Sequence, residues 1–272
     1  MIVVMTTTLG AVCWPQVPPE KLRDVALAAE DAGLDELWLW EDCFWGGAVP
    51  ACAAALASTS RLRVGIGVLP VPLRNVAATA MDAAMLHRLF PGRVTIGAGH
   101  GVQSWMRQVG ASAESPMTLL REHLTALCAL LRGEKLTVDG RYVRLDGVAL
   151  EWPPLSPPPV LSAATGPRTL RLSGEAADGT ILVAGTDPDG VRRARALIDE
   201  GRAAAGRDDY HHLVVYLAVT DIEDAAVAAA NARALAEAGA GTVVLQPVEG
   251  SEPDPVDLVR FAAEQVRPLL RR

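Results

Sequence analysis

Eight times in succession the sequence runs a short apolar stretch, often rich in β-branched residues, into a longer helical one, and this rhythm restricts the possible folds more than any other feature. Strands separated by helices pair in parallel, because a parallel connection needs a crossover of a dozen or more residues. The pattern predicts strands at 1–8, 36–40, 61–70, 93–97, 160–164, 179–184, 213–219 and 242–245. It predicts helices at 18–33, 48–59, 76–89, 102–132 with a break near Ser115-Pro116, 167–177, 188–205, 223–238 and 254–270. Eight such units in 272 residues favour a closed (β/α)8 TIM barrel. An open doubly wound sheet is the alternative, and it would carry an early G-x-G-x-x-G turn. The nearest match, Gly97-x-Gly99-x-Gly101, has Val102 where the last glycine should stand, which argues against that fold. Residues 133–158 interrupt the rhythm between strands four and five. A hairpin pivoting on Asp139-Gly140 and a proline-rich connector at 152–159 read as an excursion within one domain, 1–272.

Composition narrows the function. Half of the residues are hydrophobic, enough for a large core, yet no run of about 18 uncharged apolar residues offers a membrane span. A net charge of -7 speaks against a nucleic-acid backbone as partner and leaves a small molecule as the expected ligand. The first residues, Met1-Ile-Val-Val-Met5, lack a basic region before the apolar run and read as a strand, not a secretory signal. Cys13, Cys43, Cys52 and Cys128 form no C-x-x-C pair, so reduced thiols and a cytoplasmic location are expected.

In a barrel the functional face is built by the loops that follow the strands. Trp14, Trp40, Trp45 and Trp105, four of six tryptophans, fall at these exits and suit a planar aromatic ligand. In strand three, Gly65 and Gly67 are two apart, so they share one face and leave it bare of side chains before Pro70 and Pro72 stop the strand. Such a face suits either tight packing in the barrel interior or a flat group lying on the backbone. Glu41 and Asp42, adjacent acids after strand two, suit proton transfer or a helix cap. His100 follows the glycine-rich exit of strand four. The run Ala163-Ala-Thr-Gly166-Pro167-Arg168 ends a strand in small residues and starts a helix with proline at its first turn, leaving free backbone N–H groups beside a guanidinium. That is the make-up of an anion site. No two-histidine or histidine–carboxylate spacing suggests a metal, and no Gly-x-Ser-x-Gly elbow suggests hydrolysis.

Four segments carry a family resemblance: 33–42, 61–75, 88–100 and 163–179. Together they resemble the luciferase-like monooxygenase superfamily, and especially its branch that uses the deazaflavin F420. The resemblance implies a TIM barrel that binds F420, or alternatively FMN, at its C-terminal mouth and works as an oxidoreductase on a small organic substrate. It implies a non-proline cis peptide at Gly67–Val68, propping the ring from behind. Trp40, Gly67, Val68, Ala98, Gly99, Ala163, Ala164, Thr165, Gly166, Pro167 and Arg168 are then cofactor contacts, with 164–168 at the cofactor's tail. His100, Glu41 and Asp42 are the catalytic candidates. F420 relatives often carry Asp-His where this chain has Glu41-Asp42, and relatives that oxidise sugar phosphates use a glutamate as acid where it has His100. A reduced-FMN monooxygenase and a non-catalytic flavin-binding barrel are the alternative functions. The family also implies a homodimer.

Overall fold

A computed structural model describes residues 7–220, 222, 224–248, 250–251 and 253–270. Its strands are β1 (Thr8–Val12), β2 (Glu36–Leu39), β3 (Arg63–Pro70), β4 (Val94–Gly99), β5 (Leu136–Asp139), β6 (Arg144–Val148), β7 (Val160–Ala163), β8 (Gly179–Leu182), β9 (His212–Val219) and β10 (Thr242–Pro247). Eight of them close a barrel in the order β1-β10-β9-β8-β7-β4-β3-β2, every neighbour parallel. This is the (β/α)8 barrel that the alternation predicts. The remaining two strands form an antiparallel hairpin, turned by Gly140 N–H donating to the Val143 carbonyl, within the expected insertion.

The helices are α1 (Leu22–Asp31), α2 (Ala48–Ser58), α3 (Val76–Leu89), α4 (Gln103–Gln108), α5 (Pro116–Leu131), α6 (Pro167–Ala176), α7 (Pro188–Ala204), α8 (Ala225–Glu237), α9 (Pro255–Arg260) and α10 (Arg267–Leu270). A π-helical stretch, Phe261–Val266, joins the last two. Side-chain oxygens start several of them. Asn75 accepts from Ala77 N–H at 2.9 Å ahead of α3, and Asp254 accepts from Val256 N–H at 2.9 Å ahead of α9. The break near Ser115-Pro116 is a full loop between α4 and α5, with Ser115 as the cap of α5.

Strand one differs from expectation. Positions 1–6 of the expected strand lie outside the described residues, and the pairing strand starts at Thr8 and runs through Gly10 to Val12. Glycine is a poor strand former, so sequence alone stops the strand short of it. Packing requires it: a Cβ on Gly10 would sit 2.9 Å from the Trp38 indole.

Trp38 fills the barrel's interior from β2. Side chains alternate along a strand, so Glu36, Trp38 and Trp40 share one face. The Trp38 Nε1 donates to Glu36 Oε2 at 2.9 Å, and Arg63 pairs with Glu36 at 3.2 Å. The smooth face of β3 is therefore covered from within. A Cβ on Gly65 would meet the Trp38 ring at 2.6 Å, and one on Gly67 would meet the Tyr216 hydroxyl at 2.6 Å. The two glycines make room for neighbouring side chains. Packing, not an open platform, explains the bare face.

Candidate active site

The strands open at their C-terminal ends onto a cavity of about 540 Å³. Trp40, Glu41 and Asp42 reach it from the end of β2, Gly67 and Val68 from β3, Gly99 and His100 from β4, and Ala163, Ala164 and Thr165 from β7. Ten of the sequence candidates thus share one wall system. Ala98 does not, because it points to the opposite face of β4 from Gly97 and Gly99 and is buried in the core. Gly166, Pro167 and Arg168 also stand off the cavity wall. They open α6 at its rim, where Arg168 is exposed and faces a groove between α5, α6 and α7. Of the four exit tryptophans, Trp40 and Trp105 line the cavity, Trp14 lines a neighbouring chamber and Trp45 is exposed.

At its centre the β3–β4 register shifts between Ile66 and Leu69. The Gly67–Val68 peptide there is cis, as the resemblance implies. The Val68 side chain lies over β4, where Cβ atoms on Gly97 or Gly99 would come within 2.9 and 2.8 Å of it. The Gly67 carbonyl accepts from the Tyr216 hydroxyl at 3.3 Å. A second non-proline cis peptide, Cys43–Phe44, follows the acid pair.

The two acids divide. Glu41 is engaged: its Oε2 accepts from Ala48 N–H at 2.9 Å, at the start of α2, and from Arg74 Nη2 at 2.7 Å. Asp42 is held by one hydrogen bond, from Trp40 Nε1 at 2.9 Å. Burial raises its carboxyl above the usual range, and the indole bond only partly offsets this. His100 sits across the cavity. Burial lowers its imidazole below the ordinary value, with a hydrogen bond to the Pro116 backbone working the other way. Its Nδ1 is buried without a partner. The site therefore joins a carboxyl biased towards its acid form to an imidazole biased towards its neutral form. A carboxyl and an imidazole so placed are the group types that give and take protons in general acid–base work. Among the described residues no arginine or lysine lines the cavity, and no cluster of histidine, cysteine and carboxylate side chains could hold a metal ion.

Sequence reasoning missed Tyr216 and Gln246, which line the cavity from β9 and β10. Tyr216 meets Trp38 and Trp40 edge-on, with ring centroids 6.1 and 5.9 Å apart. A signal was present: Tyr216 is the aromatic exception in the middle of the aliphatic run 213–219, and Gln246 directly follows the aliphatic run 243–245.

Comparison with known proteins places this geometry in a family. A family model described as luciferase-like monooxygenase matches residues 1–265. The 5,10-methylenetetrahydromethanopterin reductase of Methanolobus tindarius is 32% identical over 244 residues, 88% of this chain and 74% of that one. The F420-dependent glucose-6-phosphate dehydrogenase of Nakamurella multipartita is 31% identical over 214 residues, 68% of this chain and 62% of that one. The chain thus spans about two thirds of these relatives' length. Among solved structures, an F420-dependent secondary alcohol dehydrogenase in complex with an F420-acetone adduct has a TM-score of 0.82 at 21% identity, covering 98% of this chain and 100% of that one, a likeness of fold. With the family match running over nearly the whole sequence and the closed parallel barrel beneath it, the chain belongs to the luciferase-like monooxygenase family.

Proposed function

We propose that this protein is an F420-dependent oxidoreductase that moves a hydride between the deazaflavin and a small organic substrate, as a single barrel domain in the cytoplasm. The observation that carries this reading is the cavity at the strand ends, where Asp42 and His100 are poised as proton partners. Two relatives more than 30% identical, whose names denote a methylenetetrahydromethanopterin reductase and an F420-dependent glucose-6-phosphate dehydrogenase, support the reaction class.

The residues fit the cofactor. The cavity falls inside the range of about 300–1,000 Å³ that small-molecule sites occupy. Gly67 and Val68, at the cis peptide, line the cavity together with Trp40 and Tyr216, and a tricyclic ring would lie against them. At the rim, α6 begins with Pro167 and no side-chain cap, so the backbone N–H groups of its first turn are open to an anionic tail beside Arg168. F420, when bound, supplies the hydride, and the protein supplies orientation and a proton. Asp42 in its acid form gives a proton to substrate oxygen or nitrogen during reduction, and as carboxylate it takes one back during oxidation. His100, neutral, accepts or relays that proton. Glu41 holds the loop: it ties the start of α2 to Arg74 and so fixes where Asp42 stands.

The substrate does not carry over from the relatives by name. Two carboxylates and no guanidinium or ammonium line this cavity among the described residues, a poor setting for a phosphate dianion. We also propose a homodimer formed through α3, whose outer face exposes Met81, Met85 and Leu89 at helical spacing.

Quenching of deazaflavin fluorescence on titration with protein tests the cofactor, with FMN titrated in parallel. Saturable quenching of F420, at lower concentration than FMN needs, is the expected result. Tight FMN binding with no response to F420 overturns the reading.

A further inference from the structure

Beside the cavity proposed for the cofactor lies a second chamber of about 310 Å³, and Trp40 lines both. Its walls come from the exit of β1 (Cys13, Trp14), the approach to α1 (Val17, Leu22) and the first turns of α2 (Ala51, Ala54). Among the described residues no ionisable side chain lines it except Cys13. Burial pushes that thiol up to about 12, so it stays neutral. Trp14 is buried, and nothing at the walls offers a charge or a side-chain carbonyl to a polar guest. The fold does not need this space for its core, because the barrel interior is already filled around Trp38.

We infer that this chamber takes the apolar part of the substrate, so that the protein acts on a neutral compound with an aliphatic or aromatic tail and not on a phosphorylated sugar. The inference rests on the oxidoreductase reading. The reacting carbon lies in the large cavity near Asp42, and the tail lies in the chamber that shares Trp40 with it. Trp40 touches both spaces and donates to Asp42 at 2.9 Å, which couples tail binding to the placement of the acid. An all-apolar chamber favours each buried methylene, while a charged group brought there would lose its water without a partner.

N-phenyl-1-naphthylamine, a neutral fluorophore that brightens in apolar surroundings, tests the chamber when titrated into the full chain with and without F420. The expected result is saturable binding of one probe per chain. 2-Alkanones displace it, each added methylene tightening the competition about fourfold until the chamber is full, and glucose 6-phosphate does not displace it. Ala51→Phe fills the chamber and weakens probe binding at least tenfold, with F420 affinity held within twofold. Ala54→Phe, at an exposed position of the same wall, serves the same purpose should the first variant not fold. No saturable probe binding, or binding undiminished in the folded variants, or displacement by glucose 6-phosphate, overturns the inference. Probe binding without F420 binding overturns the cofactor reading alone, and F420 binding without probe binding overturns the chamber alone.

Discussion

Glu41 and Asp42 are neighbours in sequence with different surroundings, and the difference gives them separate parts in the proposed reaction. Glu41 has a helix start and a guanidinium to satisfy it. Asp42 has one indole N–H and a wall of the cavity, and its carboxyl is raised by burial. In the proposed reaction Asp42→Asn keeps the indole's acceptor and removes the proton. It is expected to lower kcat by about 10²-fold or more with F420 affinity within twofold, measured by steady-state kinetics and fluorescence titration. The pH dependence has a definite sign. A raised carboxyl stays protonated to higher pH than an ordinary aspartate, so substrate reduction holds up through the acid range and falls as pH rises through the Asp42 ionisation. Oxidation rises through the same ionisation, and D42N erases both limbs. A profile in D42N that keeps the wild-type limb would remove Asp42 from the proton path. His100 separates from it by the opposite sign, since its lowered value leaves the ring neutral down to more acid pH than a free histidine.

At the scale of elements, β2 and β3 are a matched pair: a tryptophan on one strand lies where the other has glycine. A Cβ on Gly65 would come within 2.7 Å of three atoms of the Trp38 ring, which is hemmed in on the other side at Gly10. Gly65→Ala is therefore expected to destabilise the fold by about 1–3 kcal/mol, read from urea unfolding. Trp38→Leu in the same chain should recover part of that loss, because the shorter side chain yields the space. An undiminished penalty in the double variant would place the strain elsewhere. This pair also shows what the sequence could and could not say. The alternation of strand and helix is a local, periodic signal, and it yielded eight strands and the excursion at 133–158 without knowledge of any contact. The bare face of β3 was legible too, since two glycines two apart must point the same way. What fills that face was not legible, because the occupants, Trp38 and Tyr216, come from a neighbouring strand and from one about 150 positions later. The same limit divided the candidate site. Residues at strand ends, such as Asp42, Val68 and His100, fall on the cavity by topology. Ala98 and Arg168 miss it by strand pleat and by helix direction, which register alone determines.

For the molecule as a whole, buried neutral histidines predict lability to acid. Burial lowers His123 on α5 and His87 on α3 to about 4, whereas the unfolded chain protonates both near 6.5. Between those values the unfolded state binds more protons, so stability rises with pH and is lost as pH falls from about 6.5 towards 4. His123, almost wholly buried, accounts for about 3 kcal/mol of this, and His123→Gln should flatten the dependence of the urea midpoint across that window. The outer surface makes a separate demand. Met81, Met85 and Leu89 are 64%, 61% and 61% exposed and recur every fourth residue along α3. Arg88 stacks on Trp152 at 5.3 Å and donates to the Pro153 carbonyl, so exposed Trp152 and Leu155 lie near the same helix end. Large apolar side chains lined up on one helix face are stabilised by about 1.5–3 kcal/mol each when covered. A second copy presenting the same face can cover them by twofold symmetry, with each stripe seated on its twin. The net charge of -7 on each copy opposes association in general, so the apolar contact has to outweigh that repulsion. Sedimentation equilibrium is expected to give a dimer for the native chain and a monomer for Met85→Glu, which puts two carboxylates against each other at the centre of the contact. The cavity proposed for the cofactor lies at the strand ends and α3 outside the barrel wall, so F420 quenching should survive the change. A native chain that sediments as a monomer, or an M85E variant that stays dimeric, would move the interface off this helix.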